Sequence, residues 1–212
     1  MILGLLLAAA APQSAVDAER EFAARAQTEG MWTAFRATAS PGASMFVPQH
    51  VRAHDFLKDR KDPLIGYMWW PAEAFVSCDG SVAVTTGPSV LGRTRGYFTT
   101  LWAQHEGGWK WLFDHGETLE RPRPAGETAR VRTASCKRLP PVPAGWSETL
   151  LEEADSAGIG SSGVVGKGRS ADGSLTWEWK VASDGGRTVE VFLWDGAKPV
   201  QVLKDQVKAP SR

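Results

Sequence analysis

The residues of this chain whose types and spacing bear most directly on chemistry are its four histidines, two tyrosines and two cysteines. His50 and His54 stand four apart, the spacing that places two imidazoles on one face of a helix. Two ligands do not make a metal centre, and no Glu occupies the zinc-protease spacing beside them, so no metal site is expected. The adjacent pair His54 and Asp55 offers a general acid or base if it stands at the mouth of a cavity. Asp114 and His115 invite a dyad reading, yet neighbours on a strand point to opposite faces, so the two side chains do not meet without a bulge; one of them facing a cavity and a structural hydrogen bond at the strand end are the readings left for them. His54, Asp55 and His115 are therefore the candidate proton-transfer groups. Tyr67, Trp69, Tyr97, Thr99 and Asp114 are candidate pocket lining, because ligand sites are mostly apolar with a few polar groups; ordinary core packing is the alternative for them. Cys78 and Cys136 are the only cysteines, and they are candidates for a disulfide in an oxidising compartment. No G-x-S-x-G, P-loop or dinucleotide fingerprint is present, which removes support for serine hydrolase, kinase and dehydrogenase chemistry and leaves no cofactor expected.

The elements that must position these groups follow from composition and pattern. The chain has 212 residues, 42% hydrophobic, with 24 Lys and Arg balancing 24 Asp and Glu. That balance argues against a nucleic-acid binder, which carries a basic excess. Ten Trp and eight Phe require a packed interior. Residues 2–11 form an apolar run too short to span a bilayer, read here as part of a signal peptide over 1–15, which implies a periplasmic or secreted protein with no membrane span after its removal. Residues 16–29 read as a helix punctuated by Gly30, and a second helix carries Met31, Ala34, Phe35 and Thr38 before Pro41 and Gly42 close it. A short strand over 45–48 and a short helix over 49–58 follow. From residue 64 the pattern changes to strands over 64–77, 81–87, 96–105 and 109–115, with Asp79-Gly80 and Gly107-Gly108 as turns. On the last of these, strict alternation puts Trp109, Trp111, Phe113 and His115 on one face. Residues 121–147 hold five prolines and six basic residues against the single acid Glu127, and read as a solvated connector. A short helix over 147–155 and a hairpin series over 163–170, 175–181, 187–194 and 199–203 complete a β-rich extension over 148–212.

The order Glu21-Phe22-Ala23, Glu29-Gly30, Ala34-Phe35, Trp70-Pro71, Asp79-Gly80, Thr86-Gly87, Gly96-Tyr97, Trp102, Gly108-Trp109-Lys110 and Asp114 resembles the SnoaL-like branch of the nuclear-transport-factor-2-like (cystatin-like) superfamily, and more narrowly one of its groups of unknown function, over residues 16–120. The resemblance implies an α+β fold in which a conical, curved antiparallel sheet wraps the N-terminal helices, with dimers formed through the sheet. It does not set an activity, since the superfamily holds isomerases, dehydratases, cyclases and plain binding modules. Steroid-isomerase chemistry needs a helix Tyr and two Asp, whereas the matching places hold Phe22, Thr99 and the Val47-Pro48 region.

Two functions from different classes follow. One is an exported binding or accessory protein whose cone holds a small apolar ligand. The other is a cofactor-independent lyase or isomerase that uses one ionisable group in the cone. An Asp, Glu or His facing the cavity beside Tyr67 or Tyr97 distinguishes them.

Overall fold

A computed structural model describes residues 14–209 except 107, 120, 122, 143–149 and 155–162. The apolar run 2–11, and with it most of the expected signal peptide, lies outside the described residues. Helix α1 (Ala15–Thr28) begins at Ser14, whose hydroxyl accepts the Asp17 amide at 3.2 Å. Gly30 then adopts φ 108°, a left-handed conformation that side chains resist, and so separates α1 from α2 (Met31–Thr38). A Cβ there would also meet the Asp62 carboxyl, which accepts the Thr33 amide and hydroxyl and ties α2 to the following loop.

The strands are β1 (Ala39–Phe46), β2 (His50–Arg52), β3 (Met68–Trp69), β4 (Glu73–Val76), β5 (Val82–Leu91), β6 (Thr94–His105), β7 (Gly108–Thr118) and β8 (Arg130–Thr133), with α3 (Ala53–Leu57) between β2 and β3. They form one large curved sheet in the order β2-β1-β7-β6-β5-β4-β8, with β3 also paired to β5. A second, antiparallel sheet has the order β13-β12-β11-β10-β9, built from β9 (Leu150–Ala154), β10 (Gly163–Arg169), β11 (Leu175–Val181), β12 (Arg187–Trp194) and β13 (Pro199–Val207). Among the described residues the molecule is thus mixed α+β, with few helices and two sheets.

Several expectations are corrected. The large sheet is not wholly antiparallel, because β1 runs parallel to β7 and β8 parallel to β4. The second helix ends at Thr38, ahead of Pro41 and Gly42, which fall within β1, where a register shift between Ala39 and Ser44 accommodates them. The expected helix over 49–58 is divided into β2 and α3, so His50 is on a strand, His54 is on a helix, and they share no helix face. Pro71 divides the long strand expected over 64–77 into β3 and β4. Residues 150–154 are strand, not helix. The Pro- and Arg-rich segment supplies β8 to the sheet edge instead of running free.

The large sheet is covered on both faces. On one, Phe22, Ala26, Met31, Ala34 and Phe35 of the two helices pack with Trp69, Ala83, Phe98, Trp102 and Trp111. On the other, Val82, Val84, Leu101 and Phe113 pack with Trp177, Trp179, Val189, Val191 and Leu193 of the second sheet. With helices on one side and a sheet on the other, β5 and β6 are buried along both faces, which accounts for their nearly continuous burial.

A bulge in β7 decides which side chains reach which layer. Leu101 pairs with Phe113 but Trp102 pairs with Trp111, so Leu112 is the extra residue. Trp109 and Trp111 face the helices, whereas Phe113 packs toward the second sheet. The four residues expected to share one face are therefore split two and two, because the bulge reverses the alternation between them.

Candidate functional site

Strand β1 pairs with β7 only as far as Met45 opposite Asp114, while β7 continues to Thr118. Beside this unpaired stretch lies a cavity of about 210 Å³. Its walls include Met31, Trp32, Phe35, Met45, Tyr67, Trp69, Tyr97, Phe98, Asp114 and His115, with Thr94, Arg95 and Glu117 also lining it. A cavity of about 150 Å³ holds benzene, so this one has room for a substituted single ring or a short branched chain.

Asp114 is the more deeply buried of the two acids of this wall, Glu117 being the other. The Thr100 hydroxyl donates to its Oδ2 at 2.8 Å. Burial pushes the carboxyl up to about 7, the nearby charge of Glu19 adds to this, and the Thr100 hydrogen bond opposes it. Glu19 lies behind it, fully buried on α1 within the apolar stripe that carries Val16, Phe22 and Ala26. Its carboxyl accepts from Trp69 Nε1 at 2.6 Å, Trp102 Nε1 at 2.8 Å and the Thr85 hydroxyl at 2.6 Å. Burial raises Glu19 as well, against the pull of those hydrogen bonds. Two carboxyls raised by a dry environment therefore stand on the helix side of the sheet.

Tyr97 contributes a second polar group. Its hydroxyl is buried with no hydrogen-bond partner among the described residues. Burial, with Asp205 adding, pushes the phenol upward, so it remains a neutral donor. The Arg123 guanidinium lies 3.9 Å from its ring centroid.

His115 belongs to a charge cluster between the sheets. Its Nε2 is 3.0 Å from Asp205 Oδ2, and Arg187 Nε is 3.4 Å from its Nδ1. Burial lowers the imidazole, opposed by the Asp205 hydrogen bond. Burial would raise Asp205, but the His115 hydrogen bond and the Arg123 charge outweigh it and hold the carboxylate low. These directions fix the neutral tautomer: Nε2–H donates to the carboxylate, and Nδ1 accepts from Arg187. Asp205 also accepts from the Thr99 hydroxyl at 2.7 Å and from Arg123. Arg187 Nη2 donates to the Gly116 carbonyl at 2.6 Å and approaches Glu117 at 3.3 Å.

The sequence candidates are thus distributed over three places. Tyr67, Trp69, Tyr97, Asp114 and His115 line one cavity. Thr99 is buried against Asp205, on the second-sheet side. His54 Nε2 is 3.0 Å from the Ser40 carbonyl, and Asp55 is exposed on α3; neither is among the cavity-lining residues. His50 Nε2 pairs with the Ser44 hydroxyl at 2.9 Å and its ring stacks on Trp179. No group of three or more metal-ligating side chains occurs among the described residues. Cys78 and Cys136 form a disulfide with Cα atoms 5.2 Å apart.

Glu19, Arg123, Arg187 and Asp205, which contact the cavity-lining Trp69, His115 and Tyr97 from outside the cavity, are the charged residues that sequence reasoning missed. Three of them carried a readable signal. Glu19 interrupts the apolar stripe of α1, while Arg187 and Asp205 hold inward positions in the alternating patterns of β12 and β13. Arg123 sits in the Pro-rich segment, where no period marks it.

No protein-family model and no curated protein matches the chain. Solved structures similar to it include the CamKII hub homology domain of Chlamydamonas reinhardtii, at 19% identity over 49% of this chain and 95% of that one, with a TM-score of 0.36. A calmodulin-dependent kinase II association domain from Exiguobacterium sibiricum is 20% identical over 51% of this chain and 96% of its own, also with a TM-score of 0.36. The expected SnoaL-like, nuclear-transport-factor-2-like membership is corrected, since no family model supports it. Among the described residues no helix is long and apolar enough to cross a membrane.

Proposed function

We propose that this chain binds a small, largely apolar molecule bearing a hydrogen-bond acceptor, in the cavity beside β7, with Asp114 as its polar anchor. The observation that carries this reading is a carboxyl pushed up to about 7 in the wall of a cavity of about 210 Å³ whose apolar wall includes Met31, Trp32, Phe35, Met45, Trp69 and Phe98. A protonated Asp114 donates to a carbonyl or ether oxygen, while the aromatic walls take the apolar body. The Tyr97 hydroxyl, buried and unpaired, is the second donor for such a ligand. In this reading the cavity is the open end of a cone formed by the large sheet around α1 and α2, and the chain works in an oxidising compartment in keeping with its disulfide.

The same carboxyl favours a second reading, cofactor-independent lyase or isomerase chemistry. A group poised near working pH both accepts and returns a proton with little cost. Asp114 is the acid/base group in this version; His115 is committed to Asp205, and His54 and Asp55 have no part in it.

Titration of neutral ketone and ester probes, followed by tryptophan fluorescence, tests the binding reading. Affinity should fall roughly tenfold from pH 6 to pH 8 as Asp114 loses its proton, and Asp114→Asn should bind with no such dependence. Wild-type affinity that is flat with pH sinks the anchor role. Solvent deuterium entering the α-carbon of a bound ketone, lost in Asp114→Asn, is the outcome that selects the catalytic version.

A further inference from the structure

Within residues 64–70 the large apolar side chains other than Trp69, which is buried in the core, are left in solvent. Leu64 is 106% exposed, Ile65 68%, Met68 51%, Tyr67 40% and Trp70 38%, half of all the large exposed hydrophobics among the described residues. Concentration of such residues in one short segment marks an interaction surface, whereas scattered ones do not. Leu64 is as open as a residue in a free extended chain, so the segment protrudes and does not form a groove.

The surroundings of this segment say what it meets. Through β3, Met68 pairs with Val90 of β5, and Val90 pairs with Arg95 of β6. The β5–β6 turn at Gly92 therefore brings Arg93 and Arg95 to the same end of the sheet as the apolar strip, and both are exposed with no ion pair among the described residues. Lys58, Arg60 and Lys61 lie just upstream in the chain. Three acids share this region: Asp59, Asp62, whose carboxylate is occupied by Thr33, and Glu117, which Arg187 approaches at 3.3 Å.

From this juxtaposition we propose that residues 64–70 dock the protein on an anionic lipid surface, with the apolar side chains in the interfacial layer and Arg93 and Arg95 on lipid phosphates. Tyr67 and Trp70 are the aromatic types that settle at a membrane interface, where a ring is half apolar and half wet. Unpaired arginines beside a protruding apolar strip are complementary to anionic headgroups. The inference goes beyond the ligand-binding reading and does not depend on it. Tyr67 and Arg95 also line the cavity, so docking would bring its mouth to the lipid.

Flotation of the full chain with phosphatidylcholine vesicles, with and without phosphatidylglycerol, tests this. Wild type should float with the anionic vesicles roughly tenfold more than with neutral ones and be released by high salt. The triple variant Leu64→Ser, Ile65→Ser, Met68→Ser should lose roughly tenfold or more of that binding, and Arg93→Ser with Arg95→Ser should remove the preference for phosphatidylglycerol. All five sites are solvent-exposed, and an unchanged circular dichroism spectrum confirms the fold of each variant. Failure of the wild type to float overturns the proposal, as does equal flotation of the variants. A third outcome, in which the triple variant changes only the molar mass at sedimentation equilibrium, identifies the strip as a contact between copies and also overturns it.

Discussion

A carboxyl raised by its surroundings is a stability statement as well as a functional one. Asp114 has an ordinary value of 3.8 and a folded value of about 7. The folded protein therefore holds its proton more tightly than the unfolded chain, so the penalty is absent below pH 3.8, grows as pH rises through the interval, and is complete above pH 7. In full it amounts to about 4 kcal/mol, reduced by the access to water that a cavity wall allows. Asp114→Asn keeps the shape and the Thr100 hydrogen bond but cannot ionise. It should be more stable than wild type at pH 8 and equal to it near pH 4, a difference that urea midpoints at the two pH values would record. Equal stability at pH 8 would mean that Asp114 is well solvated in the folded state. Glu19, shifted in the same direction, should leave some alkaline decline in the variant.

At the scale of elements, the sequence showed most clearly what depends on local period and turn chemistry. The two N-terminal helices, the β5–β7 hairpins and the four strands from β10 to β13 were all readable, because alternation and Asp-Gly turns are local signals. Gly80, Gly173, Gly185 and Gly196, which follow those aspartates or close those turns, take positive φ as the turns require. What was not readable depends on distant partners. β2 and β8 exist through pairing with β1 and β4, and the bulge at Leu112 is visible only against β6. The site was legible to the same extent. Asp114 and Tyr97 could be marked from residue type and position, whereas the joining of His115 to Asp205 spans 90 residues and two sheets. Packing inside the second sheet supplies the prediction at this scale. Gly166 of β10 faces Trp179 of β11, and a Cβ on Gly166 would lie 2.1 Å from the indole. Trp179 cannot retreat freely, since it packs on Phe46 at 5.0 Å and stacks on His50 at 5.1 Å. Gly166→Ala should cost roughly 1–3 kcal/mol, measured as a lower urea midpoint with an unchanged slope. A neutral result would show that the indole has room to shift.

The molecule as a whole depends on how its second sheet is held to the first. Apolar packing between Phe113, Trp177, Trp179 and their neighbours supplies the area, and the Asp205 cluster fixes the register, since β13 must place one carboxylate against Thr99, His115 and Arg123. A covalent tie acts at another part of the interface. Cys78 follows β4 and Cys136 follows β8, and the chain on either side of them contacts the second sheet: the Cys78 amide donates to the Ser174 hydroxyl at 2.7 Å, and the Ser135 amide to the Trp194 carbonyl at 2.7 Å. The bridge spans 58 residues, and closing a loop of that size stabilises the folded state by about 4 kcal/mol in the chain-entropy model, less any strain. Its loss should be felt beyond β8, because the segment that carries Cys136 is also the one that carries Arg123 to Asp205. Cys78→Ser with Cys136→Ser, or reduction of the wild type, should therefore lower the urea midpoint and increase amide exchange in β8 and at the Ser135 and Trp194 contact, while α1 and α2, which pack on the opposite face, retain their protection. Uniform loss of protection in all elements would instead mean that the two sheets and the helices unfold as one cooperative unit, with the bridge acting only on the unfolded chain.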